Sequence, residues 1–187
     1  DYHPYLNFLL KGPAAVEASG SVTLKNLVPG RYFFMPEYAA KYWYLQSITL
    51  PPVPPAAKTP VDATRTWTTL KSGDRLTGLT ITLAQGAASF SGQVADNAPT
   101  DQFVYLVPAE KERAEDALRF FGAAIGPDGK VALNNLPPGS YFVLVKSSGE
   151  GGAVSTDKLR LPDQKELRAS LGREAEGAKT TIELKPC

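Results

Sequence analysis

Apolar and polar positions alternate with a period of two in many short runs of this chain, the pattern of strands with one buried face. In the second half the alternation predicts seven strands, over 88–94, 102–107, 119–125, 130–134, 140–146, 156–161 and 179–184. Short strands at this spacing predict a β-sandwich. Gly126-Pro127-Asp128-Gly129 predicts the hairpin turn between the third and fourth, and Asp96-Asn97 a turn after the first. In the first half, "YLNFLLKG", "GSVTLKNL" and "LTGLTITL" carry the strand pattern.

A helical pattern occurs twice. From Asp163 to Leu171, Asp163 can cap, Glu166 stands three residues on as in a capping box, Leu167 and Leu171 share a face, and Gly172 marks an end. "AEKERAEDALRFF", from Ala109, could be a second short helix or a charged loop. Both would be insertions in an all-β frame.

The strongest pattern is a repeat. "GSVTLKNLVPGRYFF" from Gly20 and "GKVALNNLPPGSYFV" from Gly129 align without a gap at an offset of 129 − 20 = 109 residues. That spacing is a domain, far beyond the roughly 20–50 residues of a solenoid unit. In each copy an alternating strand meets Pro-Gly, which has the chemistry of a type II turn. A second strand then leaves through Tyr32 or Tyr141, and Leu27 and Leu136 are the expected apolar plugs. "LTGLTITL" and "AKTTIEL" are read as equivalent closing strands, which places the boundary near Gln85. The expected organisation is 1–85, a module lacking its opening strand or strands, and 86–187, a complete one. Either chain upstream of Asp1 completes the first module, or another chain donates a strand to it by β-augmentation.

At 187 residues the chain suits two small domains, and its 43% hydrophobic and 21% charged composition is that of a foldable globular protein. Net charge is +1 with Lys and Arg scattered, so the concentrated basic stripe of a nucleic-acid binder is missing. No apolar run approaches the roughly 20 residues that span a bilayer, and Asp1 begins no signal peptide. Cys187 is the single cysteine, so the chain can build neither a disulfide framework nor a thiolate cluster; it could serve as an intermolecular link.

The motif "GKVALNNLPPGSYFVLV" resembles the core of carboxypeptidase regulatory-like domains, transthyretin-like β-sandwiches also grouped with carbohydrate-binding-like folds. With "YLQSITL", "SGDRLTGLTITL" and "SFSGQV", most of the chain is similar to tandem modules at the C-terminal ends of long bacterial, notably acidobacterial, envelope proteins. The resemblance implies two consecutive Ig-like or transthyretin-like β-sandwich modules. It also implies a non-catalytic, extracytoplasmic role as spacer, stabiliser or binding unit, whose partners are other protein chains or upstream domains of the same polypeptide. The insertion "PPVPPAAKTP", residues 51–60, departs from the family pattern; its prolines favour an extended loop.

Catalytic candidates are few. His3, the only histidine, sits at the start of the chain, where a triad or metal site would lack rigid neighbours. Glu110, Glu112, Glu115 and Asp116 alternate with Lys111 and Arg113, which predicts a solvated charged face over a pair of catalytic acids. Asp96 and Asp128 fit turns, and no acidic run has EF-hand spacing. "SGEGGA" lacks the ending of a phosphate loop. An intramolecular Lys-Asn isopeptide bond is disfavoured because "SFSGQV" holds no lysine. No catalytic, cofactor or metal residue is therefore assigned. Aromatic residues remain: Tyr38, Tyr42, Trp43 and Tyr44 in "YAAKYWYLQ", with Trp67 beyond. With Trp43 directed to the core, Tyr38, Tyr42, Tyr44 and Trp67 form a candidate surface for protein or glycan. An interaction module is the leading expectation, a carbohydrate-binding module the alternative, and an enzyme the least favoured.

Overall fold

Alternation is realised as strands wherever a neighbouring backbone is in reach. The computed structural model describes residues 6–9, 17–38, 40–52, 59–94, 101–147 and 153–187, the first of these as backbone. His3, the Asp96-Asn97 turn, the centre of the 51–60 insertion and most of "SGEGGA" lie outside the described residues. The fold is all-β, with mostly antiparallel sheets and one substantial helix. No helix among the described residues is long and apolar enough to cross a membrane. The chain divides into two compact units, Asp1–Ala40 with Ser47–Thr82, and Lys41–Gln46 with Leu83–Cys187.

The first half contains β1 (Leu6–Leu9), β2 (Gly30–Tyr32), β3 (Phe34–Glu37), β4 (Trp43–Leu50), β5 (Val61–Asp62), β6 (Thr68–Leu70) and β7 (Thr80–Gln85). β1 pairs parallel with β3, β2 pairs antiparallel with β6, and a three-stranded sheet has the order β5-β4-β7. Tyr32, Phe33, Phe34 and Met35 are all buried. Successive strand residues point to opposite faces, so both faces of this ribbon are covered. Tyr32 stacks with Phe34, and Phe33 meets the edge of Trp67 at 6.2 Å between ring centroids.

The second half contains β8 (Ala88–Gln93), β9 (Gln102–Pro108), β10 (Phe121–Ala124), β11 (Lys130–Leu136), β12 (Gly139–Ser147), α1 (Thr156–Leu159), α2 (Lys165–Ala178) and β13 (Thr181–Leu184). One sheet has the order β10-β9-β12-β13 and the other is the antiparallel pair β11-β8. Leu106, Phe121, Tyr141 and Leu184 of the four-stranded sheet pack against Ala88 and Leu136 of the two-stranded one. Fully burying a side chain of this size contributes about 1.5–3 kcal/mol. The opposite face, through Tyr105 and Val107, packs against Leu159, Leu171 and Ala175 of the helices. The unit therefore has three layers.

Several expectations change. Residues 156–161, read as a strand, instead form α1 and its exit turn. Ser155-Thr156-Asp157 are helix-start residue types that carried the signal. The Thr156 hydroxyl donates to the Gly122 carbonyl and accepts from the Gly122 amide, which covers the edge strand β10. The helix expected over 163–171 begins after a 3-10 turn at Pro162–Gln164 and runs through Gly172 to Ala178, without a side-chain cap. Burying Leu171 and Ala175 on one stripe offsets the propensity cost of an internal glycine, about 1 kcal/mol. α2 is thus a layer of the core, more than an insertion. The segment from Ala109 makes two 3-10 turns, Lys111–Arg113 and Ala117–Arg119. The 126–129 turn forms, with the Gly129 amide donating to the Gly126 carbonyl at 2.9 Å, but it links strands of different sheets.

Candidate functional site

The repeated nine residues form a corner between layers. β11 pairs with β8 while β12 lies in the other sheet, so "NLPPGSY" carries the chain across the core. The reversal differs from the expected type II turn. Its left-handed residues are Asn26 (φ 60°) and Asn135 (φ 58°), and Gly139 has φ 139°, far from the roughly +80° such a turn needs. Asn135 stands in a bulge, because Leu133 faces Phe90 while Leu136 faces Ala88. Asparagine adopts this conformation more readily than other residues with a side chain.

The tyrosine of each corner locks it. The Tyr141 hydroxyl donates to the Pro137 carbonyl at 2.8 Å, and the Tyr32 hydroxyl donates to the Val28 carbonyl, each four residues back. Pairing beyond the corner also repeats: Gly139 faces Leu184 and Tyr141 faces Ile182, as Gly30 faces Leu70 and Tyr32 faces Thr68. β6 therefore does in the first unit what β13 does in the second, a part the sequence pattern had given to "LTGLTITL". The alternation in β7 is real, but its partner is β4.

Arg119 braces the second corner, and sequence reading missed it. Its Nη2 donates to the Pro138 carbonyl at 2.9 Å and its Nη1 to the Tyr141 hydroxyl at 3.4 Å. Glu110 and Asp116 lie 3.9 and 4.0 Å from its guanidinium, so two of the four acids read as a solvated face are turned inward. Glu110 also accepts from the Ser140 amide at 3.2 Å. A Cβ on Gly139 would stand 2.7 Å from both Arg119 Nη1 and Glu110 Oε1. Burial pushes the Tyr141 hydroxyl well above the usual phenol range, partly opposed by the Arg119 charge. These contacts tie the cluster to the corner, while Asp116 also accepts from the Leu118 amide at 3.1 Å.

The aromatic candidates separate. Tyr38 and Trp67 belong to the first unit and Tyr42 and Tyr44 to the second. Tyr38 and Tyr44 are half-buried. Trp67 is half-buried between Phe33 and Arg31, whose guanidinium lies 5.0 Å from the ring centroid. Trp43, expected in the core, is 38% exposed, and Tyr42 is 51% exposed. Tyr42 precedes β4 in a left-handed conformation, φ 67°, so the two side chains do not follow strand alternation. Their backbones are held: the Gly86 and Ala87 amides donate to the Tyr42 carbonyl at 2.8 and 2.9 Å, and Asn135 Nδ2 donates to the Trp43 carbonyl at 2.6 Å. Lys41 Nζ lies 5.4 Å from the centre of the Tyr42 ring. Rings fixed at the backbone and open to water can stack on a sugar or a partner side chain with little ordering cost.

Among the described residues no three His, Cys, Asp or Glu side chains are grouped so that they could hold a metal ion. Comparison of the chain with protein-family models, curated proteins and solved structures returned no match.

Proposed function

We propose that this chain is a non-catalytic interaction module of the cell envelope or cell surface. In this reading it is built from two consecutive Ig-like, carboxypeptidase regulatory-like modules and assembles with other chains through the first. The observation that carries the reading is an asymmetry between two corners of the same design. Residues 130–136 are paired with β8, whereas residues 21–28 pair with no strand among the described residues. Val28 is 62% exposed, while its counterpart Pro137 is buried. An exposed apolar edge of this kind is a template for a further strand. The test is sedimentation velocity across a hundredfold range of concentration: growth of larger species supports the reading, and a constant monomer at every concentration sinks it.

A second reading rests on the exposed Tyr42 and Trp43 rings, which favour a carbohydrate-binding module. Glycan-array binding that disappears in Tyr42→Ala would support it, and an array without signal would remove it.

A further inference from the structure

We propose that residues 21–28 of the first unit accept an extended peptide strand, antiparallel and in the register that β8 takes on β11. The inference rests on the reading of that unit as an interaction module and specifies the partner's chemistry.

The second unit is an internal template for the complex. The offset of 109 residues places Val22, Thr23, Leu24 and Leu27 on Val131, Ala132, Leu133 and Leu136. In the second unit these face Gly92, Ser91, Phe90 and Ala88 of β8. The receiving backbone is already shaped for that partner, because Asn26 has the left-handed φ of 60° that Asn135 uses at the bulge. A bulge has a structural purpose only opposite a second strand.

Burial points the same way. Val22, Leu24 and Leu27 are half-buried and alternate with exposed Thr23 and Lys25, so their parity is that of a strand with one inner face. Leu136, beneath β8, is completely buried; Leu27 at the same point is not. The strand that would cover it needs a small residue opposite Leu27, a large apolar residue opposite Leu24 and glycine opposite Val22. A serine opposite Thr23 would add a cross-strand hydroxyl pair on the outer face. The expected partner is therefore a peptide of the pattern small-x-aromatic-x-Gly, supplied by another polypeptide.

The probe is a fluorescein-labelled peptide with the sequence of residues 87–94, added to the full chain and followed by anisotropy and amide hydrogen exchange. The expected result is saturable binding with new protection at 21–28 and none at 130–136. Replacing the peptide's phenylalanine by aspartate, or Leu24→Asp in the protein, weakens binding about tenfold or more, since a charge enters the apolar face. Val22→Pro, which removes an amide that the template register directs at the incoming strand, acts in the same direction. No saturable binding overturns the inference, as does protection of 21–28 without peptide, which would mean that this chain fills the edge itself. Assembly that persists unchanged in Leu24→Asp leaves the interaction module standing and removes the strand site. Peptide binding by a chain that never self-assembles keeps the strand site and removes only assembly of the chain with its own copies.

Discussion

Replacing Tyr141 by phenylalanine isolates the lock at the second corner. The ring keeps its burial and its edge-on packing with Phe121, 6.3 Å between centroids, so cavity and transfer costs nearly cancel. What is lost is the hydrogen bond to the Pro137 carbonyl at 2.8 Å, together with the contact from Arg119. Pro137 is buried, so its carbonyl is left without a partner, which costs about 2 kcal/mol. Tyr32→Phe removes the same bond in the first unit, but its acceptor belongs to Val28, which is 62% exposed, so water can take the hydroxyl's place. That substitution should cost about 0.5 kcal/mol. Urea unfolding of the two variants measures the difference. Equal losses, or a larger loss in Tyr32→Phe, would refute the argument that burial of the acceptor decides the cost. Alkali supplies an independent arm. The folded state holds the Tyr141 hydroxyl above the ordinary phenol value of about 10, so its contribution is complete below pH 10 and declines as pH rises beyond it. Tyr141→Phe should flatten that alkaline slope, and an unchanged slope would count against the burial argument.

Gly172→Ala should raise stability by about 0.5–1 kcal/mol, because the helix continues through it and nothing lies within 4 Å of the added Cβ; thermal unfolding checks this. Arg168 Nη1 donates to the carbonyls of Leu159 and Leu161 at 2.5 and 2.8 Å, satisfying the end of α1 from within the core. Arg168→Met should cost about 1–3 kcal/mol in urea unfolding, since two acceptors lose their donor. Lys146 donates to Glu174 at 2.6 Å and holds its carboxyl below the usual carboxylate range. That stability is present above about pH 4.5 and is lost as pH falls through the folded value; the pair is solvent-facing, so Glu174→Gln should change acid unfolding by only about 0.5 kcal/mol.

Six of the seven strands that alternation predicted in the second half form, because each has an inner face and a neighbour in reach. Alternation failed over 156–161, where Leu159 and Leu161 are both buried, yet Arg168 satisfies the carbonyls of a helical turn and Thr156 ties that turn to β10. Residues 20–24 carry the same alternation as 129–133 without forming a paired strand, since alternation describes one face and says nothing about whether a partner lies alongside. The aromatic cluster was visible as composition, but its presentation was not. A positive φ at Tyr42 and three hydrogen bonds to the 42–43 carbonyls decide which rings meet water.

By itself, the sequence determined that this is an all-β chain with a duplicated corner, because turn residues and a period of two are local properties. Tertiary structure alone decided that Asn26 and Asn135 make the left-handed step, that Arg119 braces Tyr141, and that β6 stands where "LTGLTITL" was expected. These follow from which backbone and which charge arrive at a given point from distant segments, and no local pattern encodes that arrival.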